Sequence, residues 1–265
     1  MKTLSILGCG WLGRAVAAKF LNNGGWHVNG STTRPEKCPE LQNLSINPFT
    51  ISLAPTPTGD NLATFFAADA LLVAIPPKRK TGGSDFYLHQ IKSLATHLAG
   101  TPVRRVIFVS STSVYPELNR EVFEADADPL SDLFKAEHAL LESAPFKTTV
   151  LRFGGLIGPN RNPGNFLSGK TDLPGGDSPI NMIHQHDCVN IIHTLVSNDV
   201  FGDVFNACAD HHPTKKEFYT RASQAAGLPP PVFNGQAAPF KIVNSDKLKS
   251  RLGYEFTFGD LLDLY

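Results

Sequence analysis

The sequence predicts an α/β protein: a doubly wound, mostly parallel sheet with a small C-terminal lobe assembled from separate segments. Two observations carry that expectation. The apolar run 4–7 leads directly into Gly8-Cys9-Gly10-Trp11-Leu12-Gly13, then into helically spaced residues, and a new strand opens at Trp26. Further on, short apolar runs at 70–75, 103–109, 149–153 and 204–207 recur between segments of helical periodicity, as parallel strands joined by helices do.

The first of these is the G-x-G-x-x-G pattern, and each glycine has a physical task. Gly8 permits the tight turn out of the strand, Gly10 lets backbone N–H groups approach a pyrophosphate, and Gly13 lets the helix lie close on the strand. Trp11 and Leu12 open a helix whose unpaired N–H groups favour an anion. Val16, Ala17 and Phe20 share one side of 14–21, and Asn22-Asn23-Gly24-Gly25 stops the helix. The unit is βαβ and implies dinucleotide binding; a bare strand-to-helix turn is the plainer alternative.

Which dinucleotide is decided at 27–34. An NAD site places Asp or Glu there, about 20 residues beyond the glycines, on the ribose 2′-hydroxyl. The first acidic residue of this chain is Glu36. Ser31, Thr32 and Thr33 offer hydroxyls instead, and Arg34 offers a charged planar fork suited to a phosphate. NADP(H) is therefore expected over NAD(H), with NAD(H) as the alternative. Arg34 as a solvated arginine before Pro35 is the competing reading.

Whole-chain composition narrows the class. Lys+Arg and Asp+Glu are balanced at 24 each, without long runs of like charge, which argues against nucleic acid or a membrane surface as the main partner. No apolar stretch reaches the length of a membrane span, and the first strand starts too close to Met1 for a signal peptide, so a cytoplasmic location is expected. Cys9, Cys38, Cys188 and Cys208 show no C-x-x-C spacing, which fits a reducing compartment and no metal. Cys9 reads as a small filler within the glycine loop.

Residues 35–60 are polar and proline-broken, with a short helix and the start of a third strand over 41–46. The strand 70–75 ends at Pro76-Pro77, and Ile75 and Pro76 are expected to line the adenosine side of a crevice, unless the prolines only stop the strand. The basic stretch 78–84 reads as a solvated loop. Helix 85–98 carries Phe86, Ile91, Leu94 and Leu98 near one face, and strand 103–109 enters Ser110-Ser111-Thr112-Ser113-Val114-Tyr115. Strand 149–153 brings Phe153 and Gly154 to the nicotinamide side. The Gly-, Pro- and Asn-rich stretch 158–176 reads as part of the lobe, with Arg161, Asn165 and Lys170 as candidate ligands for an anion or as plain loop residues. A helix over 186–197, a returning strand at 204–207, a helix capped by Thr214 and a short helix ending at Gly253 complete the chain.

At Val109-Ser110-Ser111-Thr112-Ser113-Val114-Tyr115 the chain resembles the extended short-chain dehydrogenase/reductases, the NAD-dependent epimerase/dehydratase family. The resemblance continues in Leu151-Arg152 through Gly158-Pro159, in Ile183-His184-Gln185-His186-Asp187-Cys188-Val189, in Val204-Phe205-Asn206 and in Leu252-Gly253-Tyr254. Gly8–Gly13, Ser110–Tyr115 and 162–170 are most similar to an atypical, YeeZ-like subgroup. The resemblance implies a Rossmann-type domain over 1–157 and 183–209, a substrate lobe over 158–182 and 210–265, a small-molecule substrate, and a homodimer through paired helices. The apolar face of 85–98 is equally explained by the monomer core.

Such enzymes use Tyr-x-x-x-Lys as acid/base pair and ribose holder, with a Ser or Thr orienting the substrate. By resemblance the Ser is Ser111 and the Lys is Lys135, but the tyrosine position holds Ser131. A serine hydroxyl cannot replace a phenol of pKa about 10, and general acid/base catalysis is worth about 10² to 10⁴ in rate. Three readings follow. The acid is relocated to Tyr115, His184 or His186; or the chain is a catalytically silent dinucleotide sensor or partner; or the helix alignment is displaced. Ser131 has a plainer use as an N-cap.

Overall fold

Strand β1 (Lys2–Leu7) is buried over its last four residues and turns through the glycine loop into α1 (Trp11–Asn23), whose buried stripe includes Val16, Ala17 and Phe20. The computed structural model describes residues 1–76 and 85–265, so Pro77 and the basic stretch 78–84 lie outside the described residues. There follow β2 (Trp26–Thr32), α2 (Cys38–Asn43), β3 (Asn47–Leu53), β4 (Pro57–Gly59), α3 (Leu62–Phe65) and β5 (Ala70–Val73). The short helix starts three residues before its expected position because Pro39 is tolerated in a first turn.

After α4 (Phe86–Ala99), β6 (Arg105–Ser111) carries Ser110 and Ser111 within the strand itself. Next come β7 (Glu121–Val122), α5 (Asp132–Leu141), β8 (Lys147–Phe153), β9 (Gly155–Ile157), α6 (Gly164–Leu167), β10 (Met182–His184) and α7 (Gln185–Ser197). The chain ends with β11 (Val204–Ala207), α8 (Lys215–Ala225), β12 (Ile242–Val243) and α9 (Asp246–Leu252). Thr214 caps α8 by accepting the Glu217 N–H at 3.2 Å.

Eight strands form the main sheet in the order β11-β8-β6-β5-β1-β2-β3-β4. The pairs β1–β2, β2–β3, β1–β5 and β5–β6 are parallel, and only the edge pair β3–β4 among these is antiparallel. From β1 the chain first builds outward through β2 and β3, then returns to lay β5, β6, β8 and β11 on the other side. The order therefore reverses between β1 and β5, the place where doubly wound sheets open a ligand crevice at their carboxyl ends. A polar ladder crosses three of the strands: Asn47 donates to Asn29 (3.0 Å), Asn29 to Ser5 (3.1 Å), and Ser5 to the Phe65 carbonyl (2.6 Å).

The chain divides into two compact units. The first comprises Met1–Ser110, Asp128–Leu151 and Val189–Val204; the second comprises Ser111–Ala127, Arg152–Cys188 and Phe205–Tyr265. Segments 111–127, 152–157, 183–188 and 205–209, expected with the dinucleotide-binding part, cluster with the second unit. In the first, Leu7, Phe65, Phe66, Ile91, Leu94 and Phe108 belong to one apolar core. In the second, Ile157, Ile180, Phe218, Leu261 and Leu262 form another. No helix among the described residues is long and apolar enough to cross a membrane.

Candidate functional site

Gly8 has φ +93°, and a Cβ there would stand 2.8 Å from the Ala74 carbonyl oxygen and 2.9 Å from Ile75 Cγ2. The loop after β1 is therefore in contact with the end of β5, across the point where strand order reverses. At Gly13 a Cβ would lie 2.9 Å from the Gly8 carbonyl oxygen and 3.0 Å from Ile6 Cγ2, so α1 closes directly onto its own strand. Around Gly10 the situation is opposite: no atom lies within 4 Å of an added Cβ. Two glycines thus permit packing and the third leaves open space.

That space faces a helix N-terminus prepared for an anion. Gly10 is the N-cap of α1, no side chain caps it, and the first turn holds no acidic residue. The first-turn N–H groups, which point out of the helix end, and the helix dipole then favour negative charge. An open glycine at the head of an uncapped, acid-free helix is the arrangement a pyrophosphate needs, so the residues fit a dinucleotide. Ser31 underpins the loop: its Oγ accepts the Gly8 N–H at 2.9 Å and its carbonyl accepts the Cys9 N–H at 2.8 Å. Ser31, expected to offer its hydroxyl to the cofactor, is 3% exposed, and its hydroxyl faces the loop. Cys9 is buried too, and burial pushes its thiol up to about 12 against the pull of Arg14, so it fills space.

At the end of β2, Thr32 Oγ1 accepts the Arg34 N–H at 3.1 Å. Thr33 and Arg34 are exposed, and the Arg34 guanidinium has no partner among the described residues. The next turn brings the Lys37 N–H onto the Arg34 carbonyl at 2.9 Å. Glu40 Oε2 then lies 3.6 Å from both Lys37 Nζ and Arg14 Nη1. Sequence reasoning missed Arg14, Lys37 and Glu40; the available signal was the place of Arg14 directly after Gly13, in the first turn of the helix. At the end of β5, Ile75 is half-buried and Pro76 exposed, and the Ile75 carbonyl accepts the Tyr87 hydroxyl at 3.2 Å. Burial, then the nearby Glu137 carboxylate, push the Tyr87 phenol upward. Glu137, itself buried, accepts from Ser110 Oγ at 2.5 Å, tying α5 to β6.

Ser131 is the N-cap of α5, its Oγ accepting the Phe134 N–H at 3.1 Å. Lys135 N–H bonds the Ser131 carbonyl at 3.1 Å, so the two positions are one turn apart, and the Lys135 ammonium sits 3.7 Å from Asp132.

Within the second unit, Ser111 Oγ accepts the Ser113 N–H at 3.1 Å. Tyr115 is 3% exposed. Its hydroxyl donates to Asn206 Oδ1 and accepts from Arg152 Nη1 at 2.7 Å, and the guanidinium carbon stands 5.2 Å from the ring centroid. Arg152 also donates to the Glu124 carbonyl (2.8 Å), and the Glu124 carboxylate accepts the Asn206 N–H (2.9 Å). Burial outweighs Arg152 and pushes the phenol up to about 12. Lys241, nearly buried and missed from sequence, donates to the Tyr115 carbonyl (2.9 Å) and to Glu117 (2.8 Å).

His184 Nδ1 accepts the His186 N–H at 3.2 Å, which puts the ring proton on Nε2. Burial lowers its pKa more than Asp187 raises it, so the ring is neutral near pH 7. Its Nε2 faces Gly158, where φ is +140° and an added Cβ would stand 3.2 Å away. Phe258 packs 4.1 Å from the His184 ring and 5.9 Å from that of His186. Asp187, fully buried, accepts from Tyr254 Oη (2.7 Å) and from the N–H groups of Thr257 (2.8 Å) and Phe258 (3.1 Å). Arg161, Asn165 and Lys170 are exposed.

The family model described as NAD(P)H-binding matches residues 8–198. Protein YeeZ of Escherichia coli K12 is 32% identical, over 99% of this chain and 98% of its own. Among solved structures, UDP-glucose 4-epimerase of Thermotoga maritima with UDP-glucose aligns at TM-score 0.78 and 17% identity, covering 99% and 96% of the two chains. UDP-glucuronic acid 4-epimerase of Bacillus cereus, with UDP-glucuronic acid and NAD, aligns at 0.77 and 19%, again over 99% and 96%. A glycine cradle beside an uncapped helix, a sheet that reverses at that cradle and a full-length match to YeeZ agree: the chain belongs to the NAD(P)H-binding family and is YeeZ-like.

Proposed function

We propose that the chain binds NADP(H) in preference to NAD(H), with Gly8, Gly10, Trp11, Leu12 and Gly13 around the pyrophosphate, Ile75 and Pro76 beside the adenosine, and Arg34 on the 2′-phosphate. One observation carries this reading: the end of β2 offers an exposed, unpartnered guanidinium where an NAD site needs a carboxylate. Residues 1–157 and 183–209 serve the dinucleotide, and 158–182 and 210–265 the substrate. The nicotinamide, when bound, donates or accepts hydride. Lys135 holds its ribose, and Ser111 orients the substrate, a small or nucleotide-sugar-like molecule; the UDP-sugar epimerases of the same fold support that class.

The proton needs a source other than the tyrosine position, because Ser131 Oγ caps α5. Tyr115 is engaged on both sides of its hydroxyl, which leaves His184 as the group favoured here: its neutral ring polarises a substrate oxygen through the Nε2–H, and its minor imidazolium form is the proton donor. The same two engaged hydroxyls favour a second reading, a catalytically silent NADP(H) sensor. Bound NADPH that is oxidised on adding a carbonyl substrate, or bound NADP+ that is reduced on adding a UDP-sugar alcohol, supports the enzyme, and cofactor whose redox state persists while affinity for a partner protein changes supports the sensor.

Fluorescence titration tests the cofactor. Arg34→Ala is expected to weaken NADPH about ten- to hundredfold, the worth of a lost charge-assisted contact, with NADH unchanged; equal losses would remove the 2′-phosphate reading. Gly10→Asp, where an added Cβ meets nothing within 4 Å, is expected to abolish binding of both nucleotides without lowering the melting temperature, since Asp is also a favoured N-cap. Parent-like binding by that variant would show the pyrophosphate lies elsewhere.

A further inference from the structure

We infer that Glu40 is a resident counter-anion of the 2′-phosphate site, holding Arg14 and Lys37 until a phosphorylated dinucleotide displaces it. The inference rests on the NADP(H) reading above and goes beyond Arg34. Glu40 Oε2 stands 3.6 Å from Arg14 Nη1 in the first turn of α1 and 3.6 Å from Lys37 Nζ in the turn after β2. One carboxylate oxygen therefore bridges the two elements that flank the end of β2. Those elements are held together from beneath, by the bonds of Ser31 to Gly8 and Cys9 and by the bond of Lys37 N–H to the Arg34 carbonyl. Arg14, Lys37 and Arg34 are thus carried on one rigid corner.

Both contacts are longer than a hydrogen bond, and the side chains are a third to a half exposed, at 42% for Arg14, 34% for Lys37 and 52% for Glu40. Ion pairs of that kind are weak in water. A ribose phosphate carries about −1.5 to −2 at neutral pH and three acceptor oxygens, so it out-competes one carboxylate for two cations. Glu40 then lowers affinity for the phosphorylated cofactor alone, because NAD(H) brings no group to this corner.

The test titrates NADPH, NADH, adenosine 2′,5′-bisphosphate and 5′-AMP against parent, Glu40→Gln, Arg14→Gln and Arg34→Ala. Glu40→Gln is expected to tighten NADPH and the bisphosphate about three- to fivefold, the scale of an exposed ion pair, leaving NADH and 5′-AMP as in the parent. Arg14→Gln is expected to weaken the same two ligands selectively. Unchanged or weaker NADPH binding by Glu40→Gln, or an equal shift for NADH, would overturn the role of Glu40. If Arg34→Ala still discriminates in that case, the 2′-phosphate reading survives and the counter-anion fails; if Arg34→Ala does not discriminate, both fail.

Discussion

Gly8→Ala is expected to lower affinity for either dinucleotide by more than about a hundredfold and to cost about 2–4 kcal/mol of stability. At φ +93° an L side chain is already strained. Its Cβ would also meet the Ala74 carbonyl oxygen at 2.8 Å, and that oxygen cannot retreat easily, since the Ala74 N–H is bonded to the Leu7 carbonyl at 2.8 Å. Relief requires the loop to lift from β5, which breaks the Gly8 bond to Ser31 and turns the first N–H groups of α1 away from their common focus. Calorimetry and nucleotide titration on the same sample check both parts. An alanine variant that melts and binds as the parent does would mean that the loop has slack which the geometry denies.

Asp187→Ala is expected to cost about 3–5 kcal/mol. The carboxylate is fully buried and accepts three hydrogen bonds, two of them from the backbone N–H groups of Thr257 and Phe258. Removing it breaks all three at once and leaves a cavity where the carboxylate stood. Asp187→Asn, which keeps one acceptor oxygen, is expected to lose roughly half as much. Denaturant unfolding measures the totals, and hydrogen exchange at Thr257 and Phe258 should accelerate first. A loss below about 1 kcal/mol for the alanine variant would show that the C-terminal segment is held by its apolar contacts alone.

Much of the first unit was legible because its signals are local. The glycine spacing, the apolar stripe of α1 and the N-cap at Ser131, like that at Thr214 in the second unit, depend on residues within a few positions of one another, and the structure shows them as read. The bonds of Ser31 to Gly8 and Cys9 were not legible because alternation is uninformative in a strand buried along its middle, where either neighbour could have faced outward. Tyr115 needed Arg152 and Asn206, 37 and 91 residues away, before its phenol could be seen as engaged. Asp187 belonged to a recognised segment, yet its partners lie about the Leu252-Gly253-Tyr254 element and beyond, and nothing in local spacing joins the two. Lys241 and Glu40 gave no pattern at all: one is buried by distant chain, the other matters only through the corner it bridges.

The ladder of Asn47, Asn29, Ser5 and the Phe65 carbonyl bears on measurement as well as on cohesion. Asn29 pairs in register with Ser5 on one side and Asn47 on the other, and it is 6% exposed. Sliding β2 by one residue would swing its amide to the opposite face and leave the buried Ser5 hydroxyl without its donor, holding only the Phe65 carbonyl. The same slide would carry Ser31 away from the Gly8 N–H and move Arg34 by about 3.3 Å along the strand direction. Three small polar side chains therefore act as the gauge that sets the interval between the glycine loop and the arginine.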